Sequence, residues 1–333
     1  MKKFNQQRKI IYIKFIFFSI IYFYYFKLKI KIIYKNLDYL KIKNEFKEID
    51  ISSITFAIIR RKSCITCGLF SDYNVFLGCI NYFIIKGILP IIDMQSFKNI
   101  LNEFNESKSN GNPWELFFYQ SFNQQLEYIK KEAKKVFYFE CNLVMFRPNA
   151  EIFENKILLN FWHNIAKIYM PIQKKILFEA KIIFKKLFKD SYNILGILMR
   201  GTDYIAKKPR RHPIPPTPSM VIKDIEEINL KYHYEWLFIS TEDDLIREIF
   251  IKKFGPKIKY LILKKINYNY HNKNLLAYNN NVKGINYSKT YLLNMIILSK
   301  CIDILSAKTS GAIGVFILSN GFRYSKIYNL GVY

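Results

Sequence analysis

The chain has 333 residues, 50% of them hydrophobic and 17% aromatic, which is enough for two packed domains and too apolar for wholesale disorder. Its 52 Lys+Arg against 26 Asp+Glu give a formal net charge of +26, which points to anionic partners. The lysines are spread along the whole chain and no RNA- or DNA-binding motif pattern is present, so no nucleic acid is expected as a partner.

The five cysteines are an odd number in a chain of this size, so a disulfide scaffold is not expected. Cys64 and Cys67 have the Cys-x-x-Cys spacing, but no second pair or nearby His completes a zinc set. Buried or incidental thiols are the simpler reading.

Residues 1–50 form a basic, aromatic leader. Its apolar run, Ile10 to Phe26, is broken by Lys14 and is at the short limit for a spanning helix. No small-residue cleavage site follows it, so it does not read as a cleaved signal. A basic aromatic segment suits the membrane interface. The expected location is therefore cytoplasmic, peripheral on the inner membrane face, with an anionic membrane surface as partner and a single N-terminal span as the alternative.

The first strand signal is Ile51 to Arg61, β-branched and apolar. Gly68 and Ser71-Asp72 then read as a turn before a helix with Asp72 as its N-cap, closed by Gly87. The run "ILPIIDM" makes a second strand, completing a β-loop-α-β unit. A polar loop, Asn105 to Gln120, leads to an apolar anchor at Trp114. Leu126 to Lys189 reads as mostly helical, with Pro171 starting or kinking a helix.

From Tyr192 onward, strand and helix alternate. The strands are "NILGILMR", "EWLFIST", "IKYLIL" and "DILSAK". The helices are "PSMVIKDIEEINLKY", "EDDLIREIFIKKFG" capped by Thr241 and closed by Gly255, "SKTYLLNMIILSKCI" and "TSGAIGVFILSNG". The expected architecture is α/β: an N-terminal Rossmann-like unit with a helical linker over 51–190 and a C-terminal one over 191–333, both doubly wound and facing a cleft.

Ligands of open α/β sheets bind beyond the carboxyl ends of strands, and three such ends here are polar. The first is Met199-Arg200-Gly201-Thr202-Asp203, the second Ser240-Thr241-Glu242-Asp243-Asp244, the third Lys308-Thr309-Ser310-Gly311. The third opens a helix whose amide groups and dipole suit a phosphate; its other reading is an ordinary Thr/Ser cap. Arg200 offers a bidentate fork to the same phosphates. Asp203 orients Arg200 or acts as general base on an acceptor hydroxyl. Arg210, Arg211 and His212 follow on a loop stiffened by five prolines, suited to a diphosphate or an anionic acceptor, or to an ordinary solvated turn. Thr241 to Asp244 reads as a capping box rather than a metal cluster, so no metal site is expected.

The motifs "GILMRGTDY…HPI", "LFISTEDD" and "YLLNMIILSKCIDILSAKTSG" resemble, in order, those of the fucosyltransferase superfamily that includes α1,6-, nodulation and protein O-fucosyltransferases. Closer still are bacterial envelope-polysaccharide transferases with the Arg-Gly-Thr-Asp-Tyr signature. The resemblance covers roughly residues 50–333 and implies a GT-B fold with inverting, metal-independent transfer from a nucleotide sugar, GDP-fucose favoured, to a cell-surface glycan acceptor. It implies no cofactor. It places Arg200, Thr309 and Ser310 on the donor phosphates, where Lys308 and Gly311 at the same strand end are expected too; Thr241 and Asn294 are expected at the nucleotide. Gly68, with Ser71 and Asp72, would face the cleft on the acceptor side. The sequence departs from the pattern at Gly201, where many members carry a second arginine, at Leu198, where a histidine stands, and at Asn294, where a carboxylate stands. A non-catalytic nucleotide-binding protein of the same fold and a basic membrane-associated protein are the alternative readings.

Overall fold

The computed structural model describes residues 51, 54–61, 68–96, 99, 101, 111–121, 125–141, 147–201, 205, 208, 210–263 and 284–333. The leader, the Cys64/Cys67 pair and Asp203 lie outside the described residues.

The N-terminal half builds β1 (Thr55–Arg60), α1 (Leu69–Ile84), β2 (Leu89–Asp93), α2 (Leu126–Glu132) and β3 (Lys135–Glu140). Its three strands are parallel in the order β2-β1-β3. Strand alternation decides which helix covers which face. Ala57 and Ile59 of β1 point into the cluster that contains α1, while Phe56 and Ile58 join Leu126 and Ile129 of α2. Trp114 is fully buried, stacked on Phe118 at 4.4 Å and edge-on to Phe76, and so anchors the loop before α2.

The remainder comprises α3 (Lys156–Tyr169), α4 (Lys174–Phe188), β4 (Ile194–Leu198), α5 (Pro218–Tyr232), β5 (Trp236–Ser240), α6 (Asp244–Phe254), β6 (Ile258–Lys259), α7 (Ile285–Leu298), β7 (Asp303–Ala307), α8 (Ser310–Ser319) and β8 (Tyr324–Tyr328). Its five strands are parallel in the order β6-β5-β4-β7-β8, the doubly wound arrangement. Every residue of β4 is buried, as a strand covered on both faces requires. Leu195 and Ile197 face the cluster of α5 and α6; Ile194 and Leu198 face that of α7. The latter cluster is continuous with the core beneath α1, so one apolar body joins the two sheets.

At the amino end of β7, Asp303 is fully buried. It accepts hydrogen bonds from Tyr234 Oη, from Arg323 Nε at 3.1 Å and from the Tyr324 amide at 2.7 Å, and it pairs with Arg323 Nη2. Burial, together with this hydrogen bond, pushes the Tyr234 phenol well above its ordinary pKa.

Four expectations are corrected. The segment after Leu126 is not continuously helical, because Lys-Val-Phe-Tyr-Phe-Glu forms edge strand β3. Its bulky β-formers pair with β1, while the lysines before it mimic a helical spacing. Asp72 is not an N-cap: α1 already starts at Leu69 with Gly68 as its cap, and Asp72 is buried inside the first turn. Thr241 does not cap α6. Asp243 does, accepting from the Leu245 and Ile246 amides, and Thr241 Oγ1 instead accepts from the Asp243 amide. The strand expected over "IKYLIL" is only Ile258–Lys259, and an unforeseen strand, β8, closes the other edge.

Candidate functional site

The chain winds from β4 out through β5 to β6, then returns to β7 on the other side of β4. The carboxyl ends of β4 and β7 therefore form the switch point where a ligand crevice arises. Register fixes what stands there. Leu198 pairs with Ser240 on one side and with Ser306 on the other. Arg200 follows two residues beyond Leu198 and meets Glu242, which lies two residues beyond Ser240, while Lys308 follows the last residue of β7. Arg200 Nε faces Glu242 Oε1 at 3.4 Å, with the carboxylate largely buried. The same oxygen accepts from the Gly201 amide at 3.1 Å. Glu242 thus holds both the guanidinium and the backbone beside it.

Gly201 answers to a close approach. A Cβ there would enter the Asp243 carboxylate that caps α6. Gly201→Ala is expected to cost about 1–3 kcal/mol, by overpacking and by weakening that cap. Urea unfolding checks this; a cost below about 0.5 kcal/mol, the level of an unconstrained surface substitution, contradicts it.

Beyond β7, Thr309 caps α8, its Oγ1 accepting from the Ala312 amide at 3.1 Å. The cap reading is therefore correct for this hydroxyl. The amides of Ser310 and Gly311 open the helix, where the intrahelical ladder supplies no acceptor. Ser310 is exposed, and Lys308 is half-buried at the strand end. A Cβ on Gly311 would meet Tyr291 Oη at 2.6 Å, so glycine lets α8 start close against α7.

The N-terminal half meets this point through α1. Asn74 Nδ2 donates to Ser310 O at 3.1 Å, and Phe70 packs on Gly314, where any Cβ would enter its ring. Phe70 also meets Tyr291 edge-on, with centroids 5.9 Å apart. Both α1 and α8 leave the carboxyl edges of their sheets, so these contacts turn the two edges toward one another.

No family model matches the chain, and no curated relative matches it. Among solved structures it is similar to NodZ α-1,6-fucosyltransferase soaked with GDP-fucose, at 13% identity and a TM-score of 0.47 over 80% of this chain and 92% of that one. Fucosyltransferase NodZ from Bradyrhizobium gives 13% identity and a TM-score of 0.48, over 80% of this chain and 93% of that chain. POFUT1 in complex with GDP gives 10% identity and a TM-score of 0.48, over 82% and 98% of the two chains.

The remaining residues singled out in the sequence have mixed placements. Gly68 is exposed at the start of α1, with nothing within 4 Å of where a Cβ would stand, and Ser71 is half-buried one turn on. Asp72 is 1% exposed and pairs with Arg61. Asn294 is fully buried within α7, its Nδ2 bonded to Thr290 O at 2.9 Å. Thr241 is also buried. Arg210, Arg211 and His212 are exposed on a segment strapped to the chain's last residues. The Arg211 amide donates to Tyr333 O, the Tyr333 amide to His212 O, and the Ile214 amide to Gly331 O. No cluster of three or more metal-ligating side chains occurs among the described residues. Nor is any described helix long and apolar enough to cross a membrane.

Sequence reasoning assigned Glu242 to a helix cap and overlooked it as the partner of Arg200. The signal was available: parallel neighbours place equivalent positions past their strand ends side by side. The Asn74–Ser310 contact joins residues 236 apart and has no local signature.

Burial raises the Asp72 carboxyl to about 7, against the pull of Arg61. The unfolded carboxyl titrates near 4, so the folded chain holds a proton that the unfolded chain loses between about pH 4 and 7. The resulting stability is fully present below pH 4 and is lost as pH rises through about 7. Asp72→Asn removes this dependence. Urea unfolding at pH 5 and pH 8 is expected to show a larger fall in stability for the parent than for the variant; equal falls contradict it.

Proposed function

We propose that the chain is a glycosyltransferase of fucosyltransferase-like type. It transfers a sugar with inversion from a nucleotide sugar, GDP-fucose favoured, to a cell-surface glycan, without a metal ion. The observation that carries this is the pairing of β4 with β7, whose carboxyl ends lead to Arg200, held by Glu242, and to the α8 N-terminus. The ordered motifs that resemble fucosyltransferases supply the sugar class and the favoured nucleotide.

The chemistry follows from charge. When the glycosidic bond to the donor breaks, negative charge develops on the leaving diphosphate. A guanidinium held by Glu242 and the first amides of α8 are preorganised to receive it, which is the task a divalent metal otherwise performs. Inversion needs the acceptor hydroxyl to attack the anomeric carbon from the side opposite the diphosphate. In this reading the N-terminal unit, residues 51–190, holds the acceptor and residues 191–333 hold the donor, and the contact of α1 with the start of α8 supports it. Asp203 is the assigned base.

Thermal unfolding of the purified chain with GDP, UDP, dTDP and CMP, each with and without a chelator, tests the reading. A ligand at a hundred times its Kd stabilises the folded state by about 2.7 kcal/mol. GDP is expected to raise the midpoint most, equally with chelator present. No shift with any nucleotide would sink the proposal.

A further inference from the structure

The core beneath α1 holds two thiols that the proposed site does not use. Cys79 lies in the middle of α1, and Cys141 directly follows β3. Both are buried. The Cys141 amide donates to Arg60 O at 2.7 Å, which extends the β1–β3 ladder by one residue and fixes Cys141 against the sheet. The two sulfurs stand 3.0 Å apart, with the Cys79 thiol donating to Cys141. That is about 1 Å more than a disulfide bond, so a small side-chain movement closes it. The residues are 62 positions apart, so the fold and not the local chain brings them together.

The pair is chemically unequal. The hydrogen bond from Cys79 holds the Cys141 thiol below its ordinary pKa, aided by the Arg61 and Arg147 guanidinium groups. The same hydrogen bond, with burial, pushes Cys79 up. Cys141 is the acceptor of the pair and Cys79 the donor, so the attack is assigned to Cys141.

We propose that Cys79 and Cys141 form an oxidation site, which a hydroperoxide converts to an intramolecular disulfide joining α1 to the end of β3. The Cys141 thiolate attacks one oxygen of hydrogen peroxide and the O–O bond breaks. The leaving hydroxide takes up the proton that Cys141 released and departs as water, leaving a sulfenic acid. The Cys79 sulfur then attacks the Cys141 sulfur, the S–O bond breaks, and hydroxide leaves with the Cys79 proton as a second water. Two thiols and one peroxide give one disulfide and two waters; the sulfurs are oxidised and the peroxide is reduced. The bridge tethers the helix that carries Asn74 to the α8 junction, and by closing a long loop it raises the thermal midpoint. None of this depends on the sugar-transfer reading.

The test uses the native full chain. It is treated with hydrogen peroxide, then unfolded, alkylated with iodoacetamide and mapped by mass spectrometry with and without dithiothreitol. The expected result is a Cys79–Cys141 peptide pair lighter by two hydrogens, reversed by reduction, with a midpoint several degrees higher. Cys301, whose thiol burial pushes up, is expected to be alkylated. The proposal is overturned if Cys79 and Cys141 both remain alkylatable, if Cys141 ends as a sulfinic acid with no bridge, or if the bridges formed involve Cys64, Cys67 or Cys301.

Discussion

Replacing Arg200 with alanine is expected to lower turnover by about 10²–10³-fold, the scale of losing one preorganised donor to a developing anion. The loss falls on the donor side, since β4, which leads to Arg200, pairs with β7, which leads to α8. Stability falls as well, because the largely buried Glu242 carboxylate loses its guanidinium and keeps the bond from the Gly201 amide, so turnover is expressed per folded molecule. Arg200→Lys retains the charge but not the planar fork, so its defect is expected to be intermediate. Donor turnover, measured beside far-UV circular dichroism to verify folding, checks both variants. An alanine variant that turns over like the parent contradicts the role.

Asp303→Ala has the largest expected effect on stability, about 2–4 kcal/mol, the cost of leaving buried polar groups without their acceptor. Its carboxylate is fully buried and gathers a phenol, a guanidinium and a backbone amide. Alanine strands the Tyr234 hydroxyl and the Tyr324 amide, while the part-exposed Arg323 guanidinium stays over the Tyr232 ring and turns to water. The network lies at the amino end of β7, and the candidate site lies at its other end, four residues away or about 13 Å at the rise of a strand. Turnover per folded molecule is therefore expected to be unchanged at a temperature where the variant remains folded. Urea unfolding measures the cost; a loss under about 1 kcal/mol contradicts the account of this network.

Arg200 and Asp303 carry sequence signals that differ in kind. Arg200 was legible because an apolar run, "NILGILM", stops at a charged residue, and a buried parallel strand must emerge at a sheet edge. The α8 start was legible because Thr-Ser-Gly precedes an unbroken apolar helix. Asp303 carried no such mark. It opens a strand expected as "DILSAK", but its partners Tyr234 and Arg323 lie far from it in the chain. The edge strands β3 and β8 were hidden for a related reason. They are mixed in polarity and largely uncovered, so pairing with a neighbour rather than local pattern makes them strands. Asp72 shows the same limit at a single residue. Its chemistry suits a cap, but Gly68 starts the helix earlier and leaves the carboxylate to Arg61. Five prolines around Arg210 to His212 were expected to stiffen a loop; of these Pro215 and Pro216 are buried and Pro218 opens α5. What the pattern could not show is that this segment is pinned by the chain's last residues.

The central claim is that a nucleoside diphosphate sits at the β4/β7 carboxyl edge. A crystal structure of the chain grown with GDP and a chelator tests it most directly. The account predicts both phosphates within hydrogen-bond distance of the Arg200 guanidinium and of the first amides of α8, with no metal bridging them. Phosphates bound elsewhere, or held only through a cation, would contradict it.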